Sequence, residues 1–205
     1  MNAKTKFRDP ACTEMVEALG QLGARYDAAP LFPAESLAIV AKAGLHRRFA
    51  PQEACGERFS SNEARNAAML AALVEVGAGD PSVGRLYEGH VNALLLFEWY
   101  GSSKQKQWLR TEIERQAWFG VWASEPAPGV RIEQGAQSRL TGAKCFASGA
   151  GGIDWALATA SRDEEPRRLV IIRANNPERA DLSAWRVRGM RASVSGTYDC
   201  AGIEV

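Results

Sequence analysis

The hydrophobic pattern changes period once along the chain. Up to about residue 115, apolar residues recur every three or four positions, which lines them up on one face of a helix. Val16, Leu19, Leu22, Gly23 and Tyr26 form such a row after Asp9-Pro10, a start signal because proline is tolerated in a first helical turn. Pro33 opens a second helix with Leu37, Val40 and Ala41 inward, and Gly44 closes it. Residues 49–56 have no helical period and read as a loop. Ser60 with Glu63 forms a capping box for a third, alanine-rich helix. Asp80-Pro81 starts a fourth, with Val83, Leu86, Tyr87, His90, Val91, Leu94 and Leu95 at helical spacing. Gly101 breaks it, and Ser102 with Gln105 caps a fifth carrying Trp108, Leu109 and Ile113.

From Trp118 the pattern shifts towards strands. The run 118–123 is aromatic and β-branched, and Ser124-Glu125-Pro126 stops it. Pro126, Pro128 and Gly129 forbid a helix directly after. Residues 140–144 predict a hairpin turn with Gly142 at the position that needs positive φ. Cys145-Phe146-Ala147-Ser148 is a second short strand, closed by Gly149, Gly151 and Gly152. The apolar runs 155–160 and 169–172 flank a solvated hairpin loop, and residues 198–205 begin a further strand pair. Two strands thus end in a small hydroxyl residue, Ser124 and Ser148, each followed by a turn. Such ends present hydroxyls and backbone N–H groups to a flat polar ligand.

Composition narrows the class. With 205 residues, 46% hydrophobic and 24% charged, the chain supports a packed core in one large domain or two small ones. A net charge of +1 without a basic block argues against a nucleic-acid surface and against electrostatic attachment to a membrane. No run approaches the ~18 apolar residues of a membrane span, and the N-terminus lacks the apolar core of a secretion signal. A cytoplasmic location is expected. Cys12, Cys55, Cys145 and Cys200 lie far apart without a C-x-x-C pair and read as small core residues in a reducing compartment. His46 and His90, on different helices, make a poor metal site, so no metal is expected. Arg47-Arg48 and the Arg186, Arg188 pair read as solvated faces.

Four segments carry a resemblance. Ser124-Glu125-Pro126-Ala127-Pro128-Gly129-Val130, then Leu140-Thr141-Gly142-Ala143-Lys144 with Phe146-Ala147-Ser148, then Gly189-Met190-Arg191-Ala192-Ser193 follow one another in the strand-rich half. Gly101 with Lys104-Gln105 opens a helix before them. In this order they resemble the acyl-CoA dehydrogenase family of flavoproteins. The resemblance implies an α+β multidomain fold. An N-terminal all-α helical bundle over 1–117 would precede a β-barrel-like middle β-domain over 118–205, the family's C-terminal helical bundle being absent from this chain.

The same resemblance implies FAD as cofactor. Phe146 falls where the family sets an aromatic ring against the flavin, and Ser148 where a hydroxyl meets the flavin N5 edge. Ser124 falls at the pyrimidine edge, flanked by backbone groups of Val121 and Ala123, with Gly129 in the same cofactor segment. Val130 stands where the family has a serine beside the flavin phosphate and the thioester substrate. Val83, Leu86 and Tyr87 would line the acyl pocket. Glu125 is structural in the family, and the family's catalytic base lies in its C-terminal helical domain, so no residue here is nominated for that role.

The implied activity is α,β-dehydrogenation of an acyl-CoA thioester with hydride transfer to flavin N5, in a homo-oligomer. Two alternatives stay open. One is a flavin-dependent monooxygenase of the same fold, towards which Val130 and the short segment 129–140 point. The other is a truncated, non-catalytic binding module.

Overall fold

The computed structural model describes residues 10–162 and 165–205, with side chains from Thr13 onward. Asp9 of the first start signal, the Cys12 side chain and two residues of the loop 161–166 lie outside the described residues. Among the described residues six α-helices come first: α1 (Pro10–Ala28), α2 (Ala34–Lys42), α3 (Leu45–Arg48), α4 (Asn62–Gly79), α5 (Pro81–Tyr100) and α6 (Ser103–Glu114). Eight strands follow: β1 (Phe119–Trp122), β2 (Arg131–Glu133), β3 (Arg139–Thr141), β4 (Ala143–Ala147), β5 (Trp155–Ala160), β6 (Arg168–Arg173), β7 (Ala180–Asp181) and β8 (Gly196–Asp199).

Local chemistry explains most boundaries. The Asp80 carboxylate accepts from Ser82 N–H at 2.7 Å and Pro81 takes the first turn of α5. At α6 the capping box is complete: Ser102 Oγ accepts from Gln105 N–H at 3.3 Å, and Gln105 Oε1 accepts from Ser102 N–H at 2.9 Å. The cap of α4 is Ser61, one residue beyond the expected Ser60, because Ser61 keeps extended backbone while its Oγ accepts from Ala64 N–H at 3.2 Å. Gly44, at φ +77°, ends α2 and starts the one-turn α3, which has no periodic signal of its own.

The strands form three small sheets. In the first, β1 runs parallel to β5 with Trp122 opposite Ala158, and β5 pairs antiparallel with β6. The second is β2 against β3, and the third has the order β4-β8-β7. Gly142 has the expected positive φ, +83°, yet makes no hairpin. The chain leaves the second sheet there and enters the third, and a Cβ at Gly142 would come within 2.4 Å of Gly129 O.

The expected barrel-like middle domain is therefore corrected. Among the described residues the three sheets share only isolated bridges, Arg131 to Ser161 and Arg139 to Glu204, and no barrel closes. Closure demands that every strand bond on both edges with a consistent stagger. Strands of two to six residues, interrupted by the bend at Gly142, cannot supply it. The helices pack on one another, α1 against α2 and α4, and α4 against α5, and their core runs on into that of the strands. Leu19, Leu37, Val76 and Tyr87 share one core with Trp122, Ala156, Ile172 and Tyr198, and Leu94, Phe97 and Leu109 share a second with Phe119 and Leu157. Of the helices, α5 is the one that lies directly on a strand, β1, in an α+β arrangement.

Three hydrogen bonds set the geometry near the helix-to-strand change. His46 Nε2–H donates to Ala117 O at 2.8 Å, and His90 Nε2–H donates to His46 O at 2.8 Å. His90 Nδ1 accepts from Phe119 N–H at 3.2 Å. The two rings stack with centroids 4.5 Å apart. Burial of both rings pushes each imidazole below its ordinary pKa, His90 well below, since a charged ring there would lose its water.

Candidate functional site

The first turns of α5 cross the start of β1, and the end of β4 packs beside them. Leu86, Gly89, Val121, Trp122, Ser148 and Ile153 enclose a cavity of about 10 Å³ at this crossing, room for one water at most. Gly120 and Gly149 make the approach possible: a Cβ at either would lie 2.6 Å from the Ile153 side chain. Trp122 Nε1–H donates to Ser148 O at 3.1 Å and holds the end of β4 against β1. Cys145 N–H donates to Ser124 O at 3.0 Å and ties the two strand ends together from the other side.

Phe146 is the anomaly of this region. Its ring is 68% exposed although it sits within a strand, and its φ is +51°. The register of β4 on β8 shifts between Lys144 and Ala147, so Phe146 falls in a bulge, a feature that is frequent beside functional sites. Two residues on, Ser148 is buried, and its Oγ lies 2.8 Å from Ser195 Oγ, which lies 2.9 Å from Ser193 Oγ. The segment holding these two serines also has positive φ, with Met190 at φ +54° and Val194 at φ +40°.

Glu125 is held in place. It pairs with Lys144, whose side chain is fully buried, and with the more exposed Arg167. Lys144 Nζ also donates to Thr159 Oγ1 at 2.8 Å, and Thr159 Oγ1 donates to Ala123 O at 3.2 Å. A buried ammonium needs such partners, so Glu125 stabilises the turn after β1.

The sequence-derived candidates thus separate into three groups. Leu86, Val121 and Ser148 line one cavity. Ala123, Ser124 and Phe146 lie exposed at the adjoining strand ends, and Gly129, at φ +92°, packs against Glu125. Val83, Tyr87 and Val130 are fully buried in the main core, where the Tyr87 hydroxyl donates to Leu45 O at 3.2 Å. Sequence reasoning missed Trp122, Ser193 and Ser195. Trp122 and Ser195 bond Ser148, 26 and 47 positions away, and Ser193 joins through Ser195; no local spacing encodes the contacts to Ser148. The cysteines differ from expectation too: Cys200 is buried and Cys145 half-buried, but Cys55 is exposed, at φ +64°. Among the described residues no group of three or more His, Cys, Asp and Glu side chains is placed to hold a metal ion, and no helix is long and apolar enough to cross a membrane.

No family model matches the chain. Dibenzothiophene monooxygenase of Rhodococcus erythropolis is 29% identical over 144 residues, which are 64% of this chain and 34% of that protein. The protein of the same name from Rhodococcus qingshengii is 30% identical over 145 residues, with the same coverage of 64% and 34%. Among solved structures, TdsC from Paenibacillus sp. A11-2, in complex with FMN and indole, superposes with a TM-score of 0.78 at 20% identity, over 95% of this chain and 50% of that one. Methanesulfinate monooxygenase MsuC from Pseudomonas fluorescens gives 0.77 at 19% identity, over 96% and 51%.

The chain thus spans about a third of the length of these curated relatives and half of these solved chains. It has the fold of the part it covers. The expected membership of the acyl-CoA dehydrogenase family is corrected by these matches, whose names are those of monooxygenases. The motifs behind that expectation mark turns and strand ends of a scaffold, and one scaffold serves several reactions.

Proposed function

We propose that this chain is the flavin-holding part of a flavin-dependent monooxygenase that uses FMN, in place of the FAD expected from the sequence. The observation that carries the reading is the pairing of the exposed Phe146 ring with the buried Ser148 hydroxyl two residues on. The similar proteins support it: TdsC and KijD3 are described with FMN, and the curated relatives are named as monooxygenases. An apolar ring and an uncharged hydroxyl suit a flat heteroaromatic group, which buries its face and needs one hydrogen bond at its edge.

In this reading Phe146 covers one face of the ring, Ser148 addresses the N5 edge and Ser124 the pyrimidine edge. Trp122 fixes the end of β4 through the Ser148 carbonyl. The reduced flavin would supply the activation of O₂ for transfer of one oxygen atom to an organic substrate. TdsC is described with indole, and other relatives are named for dibenzothiophene and methanesulfinate, so a small aromatic or organosulfur molecule is the proposed substrate class in place of acyl-CoA. Leu86, at the cavity beside Ser148, is the candidate of α5 for facing it. A homo-oligomer belongs to the same proposal, which sedimentation of the full-length protein checks.

The test is titration of full-length protein with FMN and FAD, followed by oxygen-dependent turnover of dibenzothiophene or indole with externally reduced flavin. FMN should bind more tightly, and Phe146→Ala should weaken it roughly threefold to tenfold. Anaerobic bleaching of the bound flavin by an acyl-CoA thioester would sink the monooxygenase reading.

A further inference from the structure

The row Ser148, Ser195, Ser193 contains three buried hydroxyls and, besides one another, few partners. Each hydroxyl has one proton to give and two lone pairs to accept with. Ser195 is the central member, 2.8 Å from Ser148 Oγ and 2.9 Å from Ser193 Oγ. Its proton can point towards Ser148 Oγ, towards Ser193 Oγ, or back to the Ser193 carbonyl at 3.5 Å. That carbonyl already accepts from Gly149 N–H at 2.8 Å, which anchors the serine segment to the turn after β4 and leaves a second lone pair. The segment holds its shape at a conformational cost, since Val194 is β-branched and sits in the left-handed region at φ +40°.

We propose that Ser195 is a positioning residue that sets whether the Ser148 hydroxyl donates or accepts at the edge of the bound flavin. This rests on the flavin reading above. Oxidised flavin has a lone pair at N5 and needs a donor, whereas the two-electron reduced form carries N5–H and needs an acceptor. With Ser195 donating to Ser148, the Ser148 proton is free for N5. With Ser195 turned to the Ser193 carbonyl, its two lone pairs take the protons of Ser148 and Ser193, and Ser148 accepts from N5–H. Every hydroxyl proton has an acceptor in both arrangements. Only two protons rotate, and no heavy atom has to move.

Removing the Ser195 hydroxyl affects the two states unequally. Ser148 can still donate to oxidised flavin. When it must accept from N5–H, its own proton is stranded in a buried place. Ser195→Ala should therefore weaken reduced FMN relative to oxidised FMN by roughly tenfold. For a two-electron couple this lowers the midpoint potential by about 30 mV.

The experiment measures FMN affinity and midpoint potential on the full-length protein, with thermal unfolding alongside. Ser195→Thr keeps the hydroxyl and should restore the wild-type potential. Ser195→Cys keeps the volume but is a poor acceptor, and it replaces Ser195→Ala if that variant folds poorly; its potential should fall in the same direction. A negative shift reversed by threonine supports the proposal. An unchanged or raised potential in a flavin-loaded variant overturns it while leaving the flavin reading standing, and so does a shift that threonine fails to reverse. Wild-type protein that binds neither FMN nor FAD overturns the flavin reading and this proposal with it.

Discussion

The α5 helix meets the strands at two polar places built in opposite ways. At His90 both ring nitrogens are used, each on a backbone group, and the tautomer is fixed by them. One turn earlier, at Leu86, the neighbouring polar group is Ser148, whose hydroxyl touches only another hydroxyl and keeps capacity for a further bond. Around the histidines, Leu45, Val91 and Phe119 are buried, and Gln116, next to the Ala117 that accepts from His46, has φ +60°. Around the hydroxyls Phe146, Met190 and Val194 have positive φ, and Phe146 and Met190 are also exposed. The first place is satisfied and serves the fold. The second keeps an exposed ring and unused hydrogen-bonding capacity, which is what a binding site requires.

The widest break of this comparison is to cut the chain where the histidines join it. Whether 1–117 and 118–205 are separate domains is tested by expressing each half alone. Because His46 on α3 and His90 on α5 bond Ala117 and Phe119 on either side of that boundary, each half alone is expected to lose cooperative unfolding. Two halves that each melt cooperatively would show that the shared core is dispensable.

Next in size is His90→Ala. It empties a fully buried ring site and leaves His46 O and Phe119 N–H without partners, so about 3–5 kcal/mol of stability should be lost in urea unfolding. A loss under about 1 kcal/mol would mean that the ring pair is not structural.

The pH dependence comes third. Burial lowers the pKa of both histidines in the folded state, while in the unfolded state they titrate near the ordinary value of about 6.5. Above that pH neither state is protonated and nothing changes. As pH falls below it, the unfolded chain takes up protons that the folded one refuses. Stability then drops by up to about 1.4 kcal/mol per pH unit for each histidine. Unfolding free energies equal at pH 7.5 and 5.5 would contradict this.

The smallest effect belongs to the site. Phe146→Gly removes a strained φ and an exposed ring, so stability should stay level or rise by up to about 1 kcal/mol while FMN binds less tightly. A clear loss of stability would make Phe146 part of the core and erase the contrast with His90.

Much of the helical half was legible because its signals are local. Asp80-Pro81 and the Ser102, Gln105 box act within one turn, and the apolar rows need only the helical period. β5 was legible for a similar reason, as a short apolar run bounded by turns. Gly142 shows the limit. Its positive φ was readable, but whether the chain folds back on itself or changes sheet depends on where Gly129 O and Cys200 lie. At the site, the strand ends at Ser124 and Ser148 could be picked out from the residues, whereas Phe146 entered only through the resemblance. That Val130 and Val83 are fully buried could not be read there, since an apolar residue reads alike whether it lines a pocket or fills a core.

The sequence by itself determined the starts of α2, α5 and α6, the change of period near Trp118 and the residue types available to a flat polar ligand. Those follow from hydrogen bonds and side-chain spacing over three or four residues. Only the tertiary structure decided that the strands make three small sheets and no barrel, that Glu125 is held by Lys144 and Arg167, and that Ser148 has Ser195 behind it. Each of these joins groups 19 to 47 positions apart or pairs strands across the fold, and such contacts are chosen by the packing of the whole core.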